Sequence, residues 1–114
     1  ASDADAIHMS EVVGPQHTNA AGALSLSSAV ALMERAACVA VARKFRKTAT
    51  VVSCGGVDLL APVKPGQLVN ASARLVRGRE EVISVDVRLE VESVESGERE
   101  HIARSTLFLI PVET

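Results

Sequence analysis

Trp and Tyr are absent from this chain of 114 residues and Phe occurs twice, so its interior has to be packed from aliphatic side chains. Excess charge of either sign is missing too. The formal net charge is −2, with the signs interspersed, which leaves no electrostatic footprint for nucleic acid or for an anionic membrane. Cysteine is scarce. Cys38 and Cys54 have neither metal-ligand nor redox spacing, so both read as small core residues and no metal or other cofactor is expected. A reducing compartment fits, hence a cytoplasmic location, with an organellar one left open. No signal-peptide pattern stands at Ala1. The run from Ala20 to Val41 has the length to cross a bilayer, but Glu34, Arg35, several serines and many small residues argue against a membrane span. His8, His17 and His101 are scattered and suggest no ligand set. At this length one domain, residues 1–114, is expected, small enough to gain from oligomerisation.

The most informative stretch runs from His17 to Phe45. From Ala23 to Ala42 it is rich in Ala, Leu and Val and free of Pro and internal Gly, which predicts one helix of about five turns. Ser25, Ser27 and Ser28 offer N-caps, and Arg43, Lys44, Arg46 and Lys47 suit the carbonyl end. Apolar residues fall on nearly every face, so the helix should be buried by a sheet. Glu34 stands out as a charge within it.

Around this helix the pattern changes to period two. Ile7 to Val13 reads as a first strand ended by Gly14-Pro15. Thr50 to Leu60 is strand-like at its ends and interrupted by Gly55-Gly56, which marks a bulge or a close approach to the backbone. Pro62 and Pro65-Gly66 form a turn. Gln67 to Arg77 and Val82 to Val94 alternate strictly, each with one wet face, and His101 to Ile110 ends in an apolar run suited to an interior strand. Turns at Gly78 and Ser96-Gly97 make these three a meander. The expectation is an α+β domain, one long helix on an antiparallel sheet of about five strands. One sheet covers only one side of such a helix, so a second copy is expected to cover the rest.

Asn19-x-x-Gly22, an acidic residue at 34, Pro62-Val63-x-x-Gly66 and Gly78-Arg79, in this order, resemble the hotdog-fold acyl-CoA thioesterases, in particular the acyl-CoA hydrolase branch. The resemblance spans about Ile7 to Val112. It implies a hotdog fold that dimerises through sheet and helix, hydrolysis of an acyl-CoA thioester, and CoA present only as part of the substrate. It also implies Glu34 as base or nucleophile, Asn19 as the water- or substrate-orienting residue, and backbone amides at Leu26 and Ser27 as oxyanion donors. Substrate contacts are implied at Gly22, Ser53, Gly55, Gly56 and Arg79, with Arg74 and Arg77 as further candidates for the CoA phosphates. The sequence departs from the family where Leu26-Ser27 replaces a Gly-Gly pair, Gly55 an Asp, Leu59 a Phe and Glu81 a Ser.

Thioester hydrolysis needs a carboxylate, donors for the developing oxyanion and a group that holds the water. Leu26 and Glu34 are eight residues apart, about 12 Å along one helix, so one helix cannot bring both to the same carbonyl. A two-fold dimer can, by pairing the helix start of one subunit with the Glu34 of the other. In that apolar setting the carboxylate is expected to hold its proton more tightly than usual. Two other readings stand beside this one. A non-catalytic hotdog domain that binds acyl-CoA or only supports a homodimer or larger assembly is suggested by Leu26-Ser27 and Gly55. A hydratase or dehydratase would call for a His near the helix, and only His17 is close.

Overall fold

Residues 6–78 and 81–112 are described by a computed structural model. In chain order the elements are strand β1 (Ile7–Val12), a 3-10 turn (Pro15–His17), helix α1 (Leu26–Phe45), and strands β2 (Ala49–Cys54), β3 (Leu68–Gly78), β4 (Ile83–Glu92) and β5 (Arg99–Pro111). The strands form one sheet in the order β1-β3-β4-β5-β2, every neighbour antiparallel. This is the expected hotdog arrangement, with the meander β3-β4-β5 at its centre and the short strands β1 and β2 on its edges.

Alternation decides what faces the helix. Ala71 and Ala73 on β3, Val85, Val87 and Leu89 on β4, and Leu107 and Leu109 on β5 are almost wholly buried. They meet a stripe of α1 at Ala29, Leu32, Met33, Ala36, Ala37, Ala40 and Val41. The stripe has the three-and-four spacing of one helix face, and its four alanines let the helix axis lie close to the sheet.

The helix starts three residues later than the composition suggests, because Ala23 and Leu24 are engaged in the preceding loop. The Ala23 carbonyl accepts the Asn19 amide at 2.8 Å, and the Leu24 amide donates to the Val63 carbonyl at 2.7 Å. Ser25 then caps α1, its Oγ accepting the Ser28 amide at 3.1 Å. The helix is also not buried all round. Leu26, Ser27, Glu34, Arg35 and Ala42 are exposed, and Val30, Ala31, Cys38 and Val39 are half-buried. Cys38 and Val39 border the core, and among the described residues the face bearing Ser27, Ala31, Glu34 and Arg35 is uncovered.

Two further expectations change. Gly55-Gly56 lies beyond the end of β2 rather than inside a strand, and the irregularity of β2 falls between Val51 and Ser53. Cys54 is exposed and Cys38 half-buried, both as free thiols, so Cys54 is not a core residue. No helix among the described residues is long and apolar enough to cross a membrane.

Candidate active site

The loop between the 3-10 turn and α1 is built on Asn19. Its Oδ1 accepts the amides of Ala21 at 3.0 Å and Ala23 at 3.2 Å, and its carbonyl accepts the amide of Gly22 at 2.9 Å. Asn is suited to this because its short side chain can bond the backbone two residues on. Gly22 has φ +77°, in the region where a side chain is strained. The Asn-x-x-Gly spacing is therefore a turn with its closing glycine, and it leaves the Asn19 Nδ2 group, on an exposed residue, as the remaining donor of that side chain.

This turn is joined to the start of the helix. Thr18 bridges Leu24, and the Ser25 amide donates to the His17 carbonyl at 2.8 Å. The Pro62-Val63-x-x-Gly66 segment docks on the same place: Val63 is buried while its carbonyl holds Leu24, and the Gly66 amide donates to the Val13 carbonyl at 2.8 Å. Leu26 and Ser27 occupy the first two positions of α1, where backbone amides have no carbonyl one turn back. Among the described residues neither amide meets an acceptor. Their donors and the positive end of the helix dipole face outward together, beside the half-exposed Leu26 side chain.

Glu34 lies on the uncovered face of α1, exposed. The apolar enclosure expected for it is not supplied by its own protomer, because the buried stripe passes through positions 33, 36 and 37 and turns position 34 away from the sheet. Its charge is felt one turn on: burial first, and then the Glu34 carboxylate, push the Cys38 thiol above its ordinary pKa.

Ser53, Gly55 and Gly56 form a separate group at the end of edge strand β2. The Gly55 amide donates to the Thr106 carbonyl at 2.9 Å, and a side chain there would press on Ser105 Oγ, 3.2 Å from an ideal Cβ. Gly56 faces open space, and Ser53 is exposed. Asn19, Gly22, Leu26 and Ser27 are thus brought together, whereas Glu34 and the β2 group stand apart from them within one chain. Arg79 lies outside the described residues, as does the side chain of Arg77.

Arg74 faces away from the helix. It belongs to the outer face of the sheet, where the Asp86 carboxylate, 6 % exposed, sits 3.5 to 3.9 Å from guanidinium nitrogens of Arg74, Arg88 and Arg104. A cavity of about 270 Å³ opens there, lined by Ala6, His8, Ser72, Arg74, Asp86 and Arg88. The alternation of β1, β3 and β4 puts the whole sheet between it and α1, so it is not where Asn19 or Glu34 could act. Among the described residues no cluster of His, Cys, Asp and Glu could hold a metal ion.

One group near the Asn19 turn escaped the sequence reading. Glu11 accepts from His17 Nε2 at 3.0 Å and from Arg35 Nη2 at 2.9 Å. Its signal was present: Ile7, Met9, Glu11 and Val13 share the inward parity of β1, and Glu11 is the charge among them.

Residues 22–98 match the thioesterase superfamily. None of the curated proteins is a significant match. Among solved structures, an acyl-CoA hydrolase from Agrobacterium tumefaciens superposes with a TM-score of 0.90 at 30 % identity, over 95 % of this chain and 43 % of that one. An acyl-CoA hydrolase from Staphylococcus aureus, solved with butyryl coenzyme A, coenzyme A and coenzyme A disulfide, gives 0.86 at 19 % identity, over 96 % and 66 %. A hexameric thioesterase from Yersinia pestis gives 0.85 at 21 %, over 92 % and 85 %. The last two are likenesses of fold. The chain spans less than half the length of the Agrobacterium protein and about two-thirds of the Staphylococcus one.

Proposed function

The chain belongs to the thioesterase superfamily, and from that premise we propose that it hydrolyses an acyl-CoA thioester to the free acid and CoA. The observation that carries this reading is the pairing, on one helix, of two outward-facing N-terminal amides joined to the Asn19 turn with an exposed carboxylate about 12 Å further along. Each half lacks what the other offers. A two-fold dimer that lays the uncovered faces of two helices together would set the Leu26 and Ser27 amides and Asn19 of one protomer against Glu34 of its partner.

In such a site the amides and the helix dipole stabilise the oxyanion that forms when the thioester carbonyl is attacked. Asn19 Nδ2 donates to the carbonyl or the water, its Oδ1 being occupied by the turn. Glu34 takes the proton of the attacking water, or attacks directly. Half-buried Val30 and Ala31, one turn before Glu34 on the same side of the helix, would then lie beside it at that contact. Ser53, Gly55 and Gly56 line the substrate path in this reading.

Three likenesses support it. The Agrobacterium relative is an acyl-CoA hydrolase. The Staphylococcus enzyme binds coenzyme A and has been solved with Ala in place of an Asn and of an Asp whose positions differ by fifteen, the interval from Asn19 to Glu34. The Yersinia thioesterase is a hexamer, in keeping with a homo-oligomer here. A second reading is favoured by the Leu26 side chain beside the amides, namely a domain that binds acyl-CoA or supports assembly without turnover.

Thiol release measured across short, medium and long acyl-CoAs separates the two. Hydrolysis is expected for the wild type and a loss of at least ~100-fold in kcat for Glu34→Gln, the usual cost of a removed acid-base group. Asn19→Asp keeps the turn acceptor and removes the Nδ2 donor, so it should lower kcat while the fold persists. A folded dimer without turnover on any acyl-CoA would leave the second reading in place.

A further inference from the structure

The group formed by Glu11, His17 and Arg35 draws three elements to one point. Glu11 comes from the edge strand β1, His17 from the 3-10 turn two residues before Asn19, and Arg35 from the middle of α1 directly after Glu34. The two oxygens of Glu11 are divided between the partners, Oε1 to His17 Nε2 at 3.0 Å and Oε2 to Arg35 Nη2 at 2.9 Å. On its other side the His17 ring accepts the Gly14 amide through Nδ1 at 3.0 Å. With Nδ1 accepting from Gly14, Nε2 is the ring nitrogen that donates to Glu11. Both ring nitrogens and both carboxylate oxygens are therefore used, and the His17 carbonyl holds the Ser25 amide at 2.8 Å as well.

Glu11 gains nothing from this position as a surface charge. It lies on the inward face of β1, in the cross-strand row of Val69 and Val91, both buried. A carboxylate at the border of an apolar row is costly unless its lone pairs are met, and here donors from two different elements meet them. The Arg35 and Glu11 side chains are 50 % and 34 % exposed, so these bonds act by fixing geometry more than by adding stability. Among the described residues they span a gap that no backbone hydrogen bond crosses: the loop is tied to the start of α1 by its own amides, and the Glu11 carboxylate ties it to the middle.

We propose that Glu11, through His17 and Arg35, is a positioning clamp that fixes the Asn19 turn relative to the segment of α1 bearing Glu34. The inference rests on the hydrolase reading above for its catalytic consequence. In the two-fold site, the turn of one protomer serves one active site while its Glu34 serves the other. The clamp thus holds constant the spacing between the parts that a single chain delivers to two sites, and a loosened clamp misaligns both. None of its three residues needs to touch the substrate.

The test combines turnover with amide hydrogen exchange, which reads the clamp without any substrate. In Glu11→Ala, the amides of Gly14 and Ser25 should exchange at least ~10-fold faster while those of Ala36 and Ala37 in the helix interior keep their rates, the signature of local rather than global opening. On the acyl-CoA that the wild type turns over best, kcat should fall by ~10-fold or more with KM within about twofold, as for catalytic groups moved by about 1 Å. Two substitutions of His17 divide its bonds. His17→Gln is long enough to bring an amide donor to Glu11 and should retain much of kcat, whereas in His17→Asn the oxygen can accept from Gly14 but the shorter amide NH2 does not reach Glu11, and kcat should fall. Uniform acceleration of exchange across the helix, or unchanged exchange at Gly14 and Ser25, overturns the clamp, as does a loosened loop with kcat unchanged. If the wild type turns over no acyl-CoA, the hydrolase reading fails by itself, and the exchange pattern still decides for or against the clamp.

Discussion

Replacing Leu26 and Ser27 together by glycine tests whether substrate approaches the first turn of α1. The Leu26 side chain is 50 % exposed, so removing it forfeits about half of a buried leucine's contribution, roughly 1 kcal/mol. Two glycines in a helix cost at most about 1 kcal/mol each, less at positions that already lack intrahelical amide bonds. The cap from Ser25 Oγ to the Ser28 amide remains. The sum is about 2 kcal/mol, which for a domain of this size lowers Tm by roughly 10 °C and leaves the variant folded at 20 °C. Against that loss, an oxyanion donor freed for close contact is worth about 3 kcal/mol, or ~100-fold in rate. The expected result is lower Tm by calorimetry with kcat/KM in the thiol-release assay raised at least ~10-fold. A folded double variant whose kcat/KM is unchanged or lower would show that the thioester does not meet these amides, and would remove Leu26 and Ser27 from the site.

Two other outcomes follow from local geometry. Because the Glu34 carboxylate pushes the Cys38 thiol pKa upward, with burial the larger cause, Glu34→Gln should lower that pKa, raise the thiolate fraction at pH 8 and speed iodoacetamide labelling of Cys38; Cys54, being exposed, should still label faster, and mass spectrometry that finds Cys38 no faster in the variant would refute the coupling. Gly55→Ala should lower stability by about 1 kcal/mol, because its Cβ would stand 3.2 Å from Ser105 Oγ, whereas Gly56→Ala, facing open space, should stay within about 0.5 kcal/mol; equal effects in urea denaturation would contradict the packing described at the end of β2.

The element order and the meander were legible because alternation in β3, β4 and β5 and the three-and-four stripe of α1 follow directly from which face is wet. Helix boundaries were less so, since Ala23 and Leu24 have good helical propensity but their backbone groups are taken by Asn19 and Val63, residues on either side of the helix in sequence. Asn19 and Gly22 could be picked out as a pair, and their turn explains the spacing. That Glu34 stands apart from them within one chain could not be read along the sequence, nor could Arg74 be assigned to the outer face until the register with Asp86 was known.

Local rules of period, capping and turn chemistry act over a few residues, so the sequence by itself determined one long helix, five strands, an aliphatic core and a carboxylate, Glu34, on an otherwise apolar helix. Only the tertiary structure decided that the helix buries one stripe and leaves Glu34 on the other side, that Cys54 lies outside the core, and that Glu11, His17 and Arg35 meet. Those facts depend on where strands 60 residues apart come to rest beside one another, and hydrogen-bond register across a sheet is set by packing of the whole chain rather than by any segment of it.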